Sequence, residues 1–126
     1  MKPLYVILLF GLLLAGCGSN EPAATEAGKG DDFKPTIEVK LDLEGHTANV
    51  KVITDMVIST EHYNKARQAG EGHIHMYMDN GEKLIVKEDE HAFTDLAAGF
   101  HVLKVSLHNN DHTPYDVTKT IEFEIK

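Results

Sequence analysis

The chain has a single cysteine, Cys17, and no tryptophan. One thiol cannot close an internal disulfide or supply a thiolate metal site, so any fold must rest on its apolar core. Without tryptophan, and with only 4 tyrosines, it has few rings for stacking on sugars or bases. Positive charge is scarce as well: 12 Lys and Arg face 20 Asp and Glu, for a formal net charge of -8. That balance disfavours nucleic acid and anionic lipid surfaces as electrostatic partners. It favours solubility and the attraction of cations. There is no long helical period and no internal repeat. No Gly-x-Ser-x-Gly elbow, phosphate-cradling glycine loop or His-Glu-x-x-His motif occurs, so an enzyme is not expected.

The longest apolar run, Leu4 to Leu14, is too short to span a bilayer, which takes roughly 20 apolar residues. Behind the basic start Met1-Lys2-Pro3 it reads as a secretory signal. It ends in Leu14-Ala15-Gly16-Cys17, which resembles the lipobox of bacterial lipoproteins. That resemblance implies a signal peptide over 1–16 and a diacylglycerol on Cys17, which becomes the mature N-terminus. The protein would then sit on the cell membrane or outer membrane, lipid-anchored and facing outside the cytoplasm. Residues 17–35 are rich in Gly, Ala, Glu and Asp and show no strand or helix period, as expected of a flexible tether.

From Thr36 the pattern becomes the alternation of half-buried strands. Ile37, Val39, Leu41 and Leu43 alternate with Glu38, Lys40 and Asp42. Glu44-Gly45-His46 predicts a turn, and Ala48, Val50 and Val52 lead the chain back. Ser59 to Gly72 is irregular, with Glu61 to Ala69 readable as one or two helical turns. A strand comes next over His73 to Asp79, with Ile74, Met76 and Met78 on one face, then a hairpin turn at Asp79-Asn80-Gly81. Shorter strands are expected at Leu84–Val86 and His91–Leu96, and longer ones at Phe100–Asn109 and Val117–Lys126. The pattern predicts one all-β domain over 36–126: a sandwich of about seven strands, immunoglobulin-like or cupredoxin-like.

Eight histidines populate this domain. His73 and His75 share one face of a strand at i, i+2, near enough to chelate one ion. Taken alone, they read first as two exposed histidines on a solvated face. On Phe100–Asn109 the apolar set Leu103, Val105 and Leu107 takes His101 inward and leaves His108 outward, with His112 in the loop beyond. In an immunoglobulin-like order these two strands are antiparallel neighbours, which brings His73 and His75 close to His108 and His112 at one rim. His91 is ambiguous. His46 and His62 read as surface histidines, and Met76 and Met78 as core. Asp111 and Asp116 serve either as oxygen ligands or as turn formers.

Leu96-Ala97-Ala98-Gly99-Phe100-His101-Val102-Leu103-Lys104-Val105 resembles the Leu-x-x-Gly-x-Tyr-x-Leu-x-Val stretch of immunoglobulin-like domains, whose aromatic residue makes a corner hydrogen bond to the backbone. His101 holds that place here and is expected to be buried and hydrogen-bonded. Gly72-His73-x-His75, Leu96-x-x-Gly99-x-His101 and Leu107-His108-Asn109-x-Asp111-His112-x-Pro114 together resemble small exported bacterial domains of uncharacterised function, and distantly periplasmic copper carriers. The likeness spans about residues 72–116. It implies a surface type-2 site for binding or handing on copper. With the rim histidines His73, His75, His108 and His112 as ligands, the cofactor would be copper or zinc, and a metal-donor or metal-acceptor protein would be the partner. The cysteine that ligates blue copper in electron-transfer cupredoxins is missing. The alternative is a non-catalytic structural or interaction module of the cell envelope whose histidines are incidental or sense pH.

Overall fold

A computed structural model of the chain describes residues 33–126. The expected signal peptide, the lipidated Cys17 and most of the tether lie outside the described residues. The described chain forms eight strands: β1 (Ile37–Glu44), β2 (Thr47–Thr54), β3 (Val57–Ile58), β4 (Glu71–Met78), β5 (Leu84–Val86), β6 (Glu90–Phe93), β7 (Gly99–His108) and β8 (Pro114–Ile125). They build two sheets, β1-β2-β6 and β3-β4-β7-β8, with β5 pairing with β4 beside β3. This is the all-β sandwich that the alternation predicts. Among the described residues no helix is long and apolar enough to cross a membrane.

Turn chemistry sets the registers. Gly45 (φ 60°) closes a two-residue hairpin in which Glu44 faces Thr47. Asp79 and Asn80 both take positive φ (55° and 58°), the conformation that Asp and Asn tolerate best among side-chain-bearing residues. Between the sheets lies the core: Ala48, Val50 and Val52 from β2, Ile74 and Met76 from β4, Leu103, Val105 and Leu107 from β7, Phe123 and Ile125 from β8. Met76 is fully buried there, and Met78 packs against it, so both methionines are core residues. Ahead of β1, Phe33 meets Tyr115 edge-on, with ring centroids 5.9 Å apart. Ser59 to Gly70, read in part as helical from sequence, contains turns and no helix. It is tied to the sheet by side-chain bonds instead, such as that from His62 to Glu71 at the start of β4.

Candidate metal centre

β4 and β7 run antiparallel, with His73 opposite His108 and His75 opposite Ser106. Side chains alternate along a strand, so Ile74 and Met76 enter the core while His73 and His75 occupy the other face. Gly72 makes the junction possible. A Cβ there would stand 1.9 Å from the carbonyl oxygen of His108 and 2.9 Å from the Met56 sulfur. The first neighbour is backbone and cannot swing away.

At the end of β7 the register with β8 shifts between Leu107 and His108. Such an irregularity releases a strand from its ladder and re-aims the residues beyond it. Here residues 109–113 fold into a tight loop. Asn109 N–H donates to Thr113 O (2.8 Å), His112 N–H to Asn109 O (2.9 Å), and the Asp111 carboxylate accepts from Thr113 N–H and Oγ1. His112 sits in this loop at φ 74° and is turned back over β4.

Three imidazoles converge as a result. His73 Nε2 lies 2.9 Å from His75 Nε2 and 3.2 Å from His112 Nδ1. The three nitrogens all fall within 4.8 Å of one another. Nitrogens bound to one ion at about 2.0–2.1 Å stand about 2.9 Å apart at a right angle and about 3.3 Å apart in a tetrahedron. The two spacings at His73 Nε2, 2.9 and 3.2 Å, fall in that range. Protons serve the same arrangement poorly. His73 Nε2 takes part in both contacts, and a neutral ring offers a single hydrogen or a single lone pair there.

Two of the three rings are shielded from solvent and uncharged. His73 is 0% and His75 2% exposed. Burial, followed by the neighbouring imidazoles His112 and His108, pushes His73 down to about 4. Burial, followed by His108 and His73, pushes His75 down to about 3. Both rings are thus neutral at pH 7 and need lose no proton to bind a metal. The Nδ1 atoms of both are buried without a hydrogen-bond partner among the described residues.

A cover accounts for the burial. Tyr63 meets His73 and His112 edge-on (centroids 4.9 and 5.0 Å), and Lys87 Nζ stands 4.3 Å from the centre of the Tyr63 ring. Asn64 Oδ1 accepts from His112 Nε2–H. The covering segment is fastened by His62 Nδ1–H to Glu71 (2.7 Å), by Asn64 N–H to Asn110 O (2.9 Å) and by Arg67 to Asp111 (3.3 Å). Glu71 also accepts from Asn110 Nδ2 (3.2 Å), and these bonds, led by that from His62, hold its carboxyl below the usual range.

Of the four histidines predicted for the site, His73, His75 and His112 come together in a group that could hold a metal ion. His108 is drawn in differently. Its ring stacks on His75 (centroids 3.6 Å), its Nε2 accepts from Ser106 Oγ (2.8 Å) and its Nδ1–H donates to His112 O (3.1 Å). Both of its nitrogens are engaged, so it buttresses the trio rather than joining it. Asp111 is taken by Arg67 and Thr113, and Asp116 lies within β8 at φ 63°; neither belongs to the group formed by the three histidines. His91 stands on the other sheet beside Phe93, and His46 Nδ1–H donates to Leu96 O (2.7 Å). His101, expected at a corner, makes that bond: Nε2–H to Ala97 O (2.8 Å), with Nδ1–H to Asp79 (2.6 Å). Tyr63, Asn64, Glu71 and Asn110 were not singled out from sequence. The density of polar ring and amide side chains in an aperiodic stretch was the available signal.

The fold is that of PKD domains. The PKD1 domain of Vibrio anguillarum Epp superposes with a TM-score of 0.50 at 11% identity, covering 74% of this chain and 94% of that one. The PKD1 domain of the Vibrio cholerae metalloprotease PrtV gives 0.51 at 12% identity, covering 75% and 99%. Of the two expected kinds of sandwich, the immunoglobulin-like one is therefore the match. No family model matches the chain, and no curated protein matches it in sequence.

Proposed function

We propose that this chain is a non-catalytic, PKD-like module of the cell envelope whose His73–His75–His112 centre binds one transition-metal ion, copper in preference to zinc. The convergence of three imidazole nitrogens within 4.8 Å, two of them on buried neutral rings, carries the reading. Calcium and magnesium want oxygen ligands and are poorly served by nitrogen alone. Imidazole suits copper and zinc, and at an unconstrained site copper(II) binds more tightly than zinc. Three protein ligands leave coordination positions for water or for a ligand of a metal-donating or metal-accepting protein. The lipobox-like Leu14-Ala15-Gly16-Cys17 supports anchoring through a lipid on Cys17.

Calorimetric titration of the metal-free protein with Cu(II) and with Zn(II) tests the reading. One ion per chain is expected, with the heat abolished in His73→Ala/His75→Ala. The likeness to PKD domains favours a second reading, a structural or interaction module whose histidines bind nothing. Absence of stoichiometric heat with either metal would establish that reading and discard the first.

A further inference from the structure

The three converging nitrogens are not equivalent. His73 and His75 present Nε2, while His112 presents Nδ1. A neutral imidazole carries one hydrogen, on one nitrogen or the other. Something must therefore keep the hydrogen of His112 off Nδ1. The group facing its other nitrogen is Asn64 Oδ1, which can only accept. A hydrogen on Nε2 satisfies that oxygen and leaves the Nδ1 lone pair directed at His73 and His75.

We propose that Asn64 is the positioning residue of the metal centre: by accepting from His112 Nε2–H it selects Nδ1 as the metal-facing nitrogen and fixes the plane of the ring. This rests on the metal-binding reading of the three histidines. Asn64 occupies a backbone position with φ 70°, which suits Asn, Asp and Gly and few other residues. Its N–H is bonded to Asn110 O (2.9 Å), so the amide is delivered from the same loop cluster that carries His112. Tyr63, the preceding residue, packs on His112 and His73. Cover and selector are thus adjacent in the chain. Of the three side chains that suit this backbone, Gly would lack the acceptor, and Asp would keep it and add charge. Outer-shell partners of this kind commonly govern metal affinity by about 10–100-fold.

The full chain, labelled with 15N, allows the test. Long-range 1H–15N spectra report which imidazole nitrogen is protonated, without any metal. In the metal-free wild type His112 is expected as the Nε2–H form. Asn64→Gly keeps the backbone conformation and removes the acceptor. Its His112 should show averaged nitrogen shifts, and its Cu(II) affinity should fall about 10–100-fold. Asn64→Asp should retain the Nε2–H form and bind Cu(II) at least as tightly as wild type. A merely structural Asn64 would leave the tautomer of His112 unmoved in the glycine variant. The proposal is overturned if wild-type His112 is the Nδ1–H form, or if Asn64→Gly binds Cu(II) as tightly as wild type. A wild type with His112 locked as Nε2–H that takes up no Cu(II) also overturns it. That pattern identifies the metal reading, not the tautomer assignment, as the part that failed.

Discussion

The two ends of β7 carry histidines in opposite electrical states. At its far end His108 stacks on His75, inside a cluster that burial keeps neutral. At its beginning both nitrogens of His101 face acceptors, the Asp79 carboxylate at 2.6 Å and the Ala97 carbonyl at 2.8 Å. Only a doubly protonated ring has a hydrogen for each. The Ala97 bond first, and the Asp79 bond next, accordingly raise the pKa of His101. The residue type is the same and both sites are shielded from water. The partners differ: imidazoles and unpaired Nδ1 atoms at one rim, an anion and a carbonyl at the other. Neighbours, more than burial, decide whether a shielded histidine stays neutral or becomes a charged brace.

The largest expected effect comes from forcing charge into the neutral rim. His75→Lys places an ammonium where no carboxylate is among the ring contacts and hydrogen-bond partners of the displaced imidazole. Leaving a buried charge uncompensated costs about 3–5 kcal/mol. His75→Leu, neutral and of similar bulk, should cost clearly less, and both variants should lose Cu(II) binding. Urea denaturation of the metal-free proteins at pH 7 makes the comparison. Equal losses for Lys and Leu would show that the rim tolerates charge, and the contrast with His101 would dissolve.

A smaller effect is expected at the charged rim. Replacing His101 by Phe removes two hydrogen bonds to a cation, worth about 1.5–3 kcal/mol each when shielded. Asp79 is 46% exposed, so the combined loss is set lower, at about 2 kcal/mol. The pH profile is the sharper signature. A raised folded pKa means that the folded state holds a proton that the unfolded state gives up near 6.5. The stabilisation is complete below about pH 6.5 and fades as pH rises through the folded value. His73 and His75, with folded values of about 4 and 3, behave oppositely in the metal-free protein. Their contribution is complete above about 6.5 and is lost as pH falls through those values. Denaturation between pH 6.5 and 8.5 therefore separates the contribution of His101 from those of His73 and His75. Wild type should weaken across that window, and His101→Tyr, which keeps one corner bond without titrating there, should be flat. Equal slopes would refute the imidazolium assignment.

Most of this contrast can be read from strand phase. Ile74, Met76, Leu103, Val105 and Leu107 mark the core faces of two strands, which assigns His73, His75 and His108 to the opposite face and His101 to the inward one. Antiparallel pairing then brings the rim histidines together. The covering segment was not legible. Residues 59–70 have no period, because they are held by side-chain bonds such as His62 to Glu71 rather than by a ladder. Sequence therefore predicts an exposed pair at His73 and His75, where the structure has a covered one. The division of labour between His108 and His112 was hidden for a related reason. It depends on the register shift after Leu107 and on His112 taking a left-handed conformation, and no side-chain alternation records either.

The smallest expected effect tests whether placement, rather than the number of histidines, makes these two states. His91 belongs to β6, opposite Val50 on the three-stranded sheet, and its ring meets Phe93 edge-on at 4.7 Å. It has neither the imidazole neighbours of His75 nor the two acceptors of His101. His91→Ala should forfeit only part of one aromatic contact, about 0.5 kcal/mol. Cu(II) stoichiometry and the slope of stability above pH 6.5 should both match wild type. A change in stoichiometry would mean that a second ion is held on the other sheet, so that metal binding follows histidine content. A change in slope would mean that the pH dependence is shared among surface histidines instead of residing at the Asp79–His101 corner. With both quantities unchanged, the two functions stay assigned to the two ends of β7, where the sheet supplies different neighbours to the same side chain.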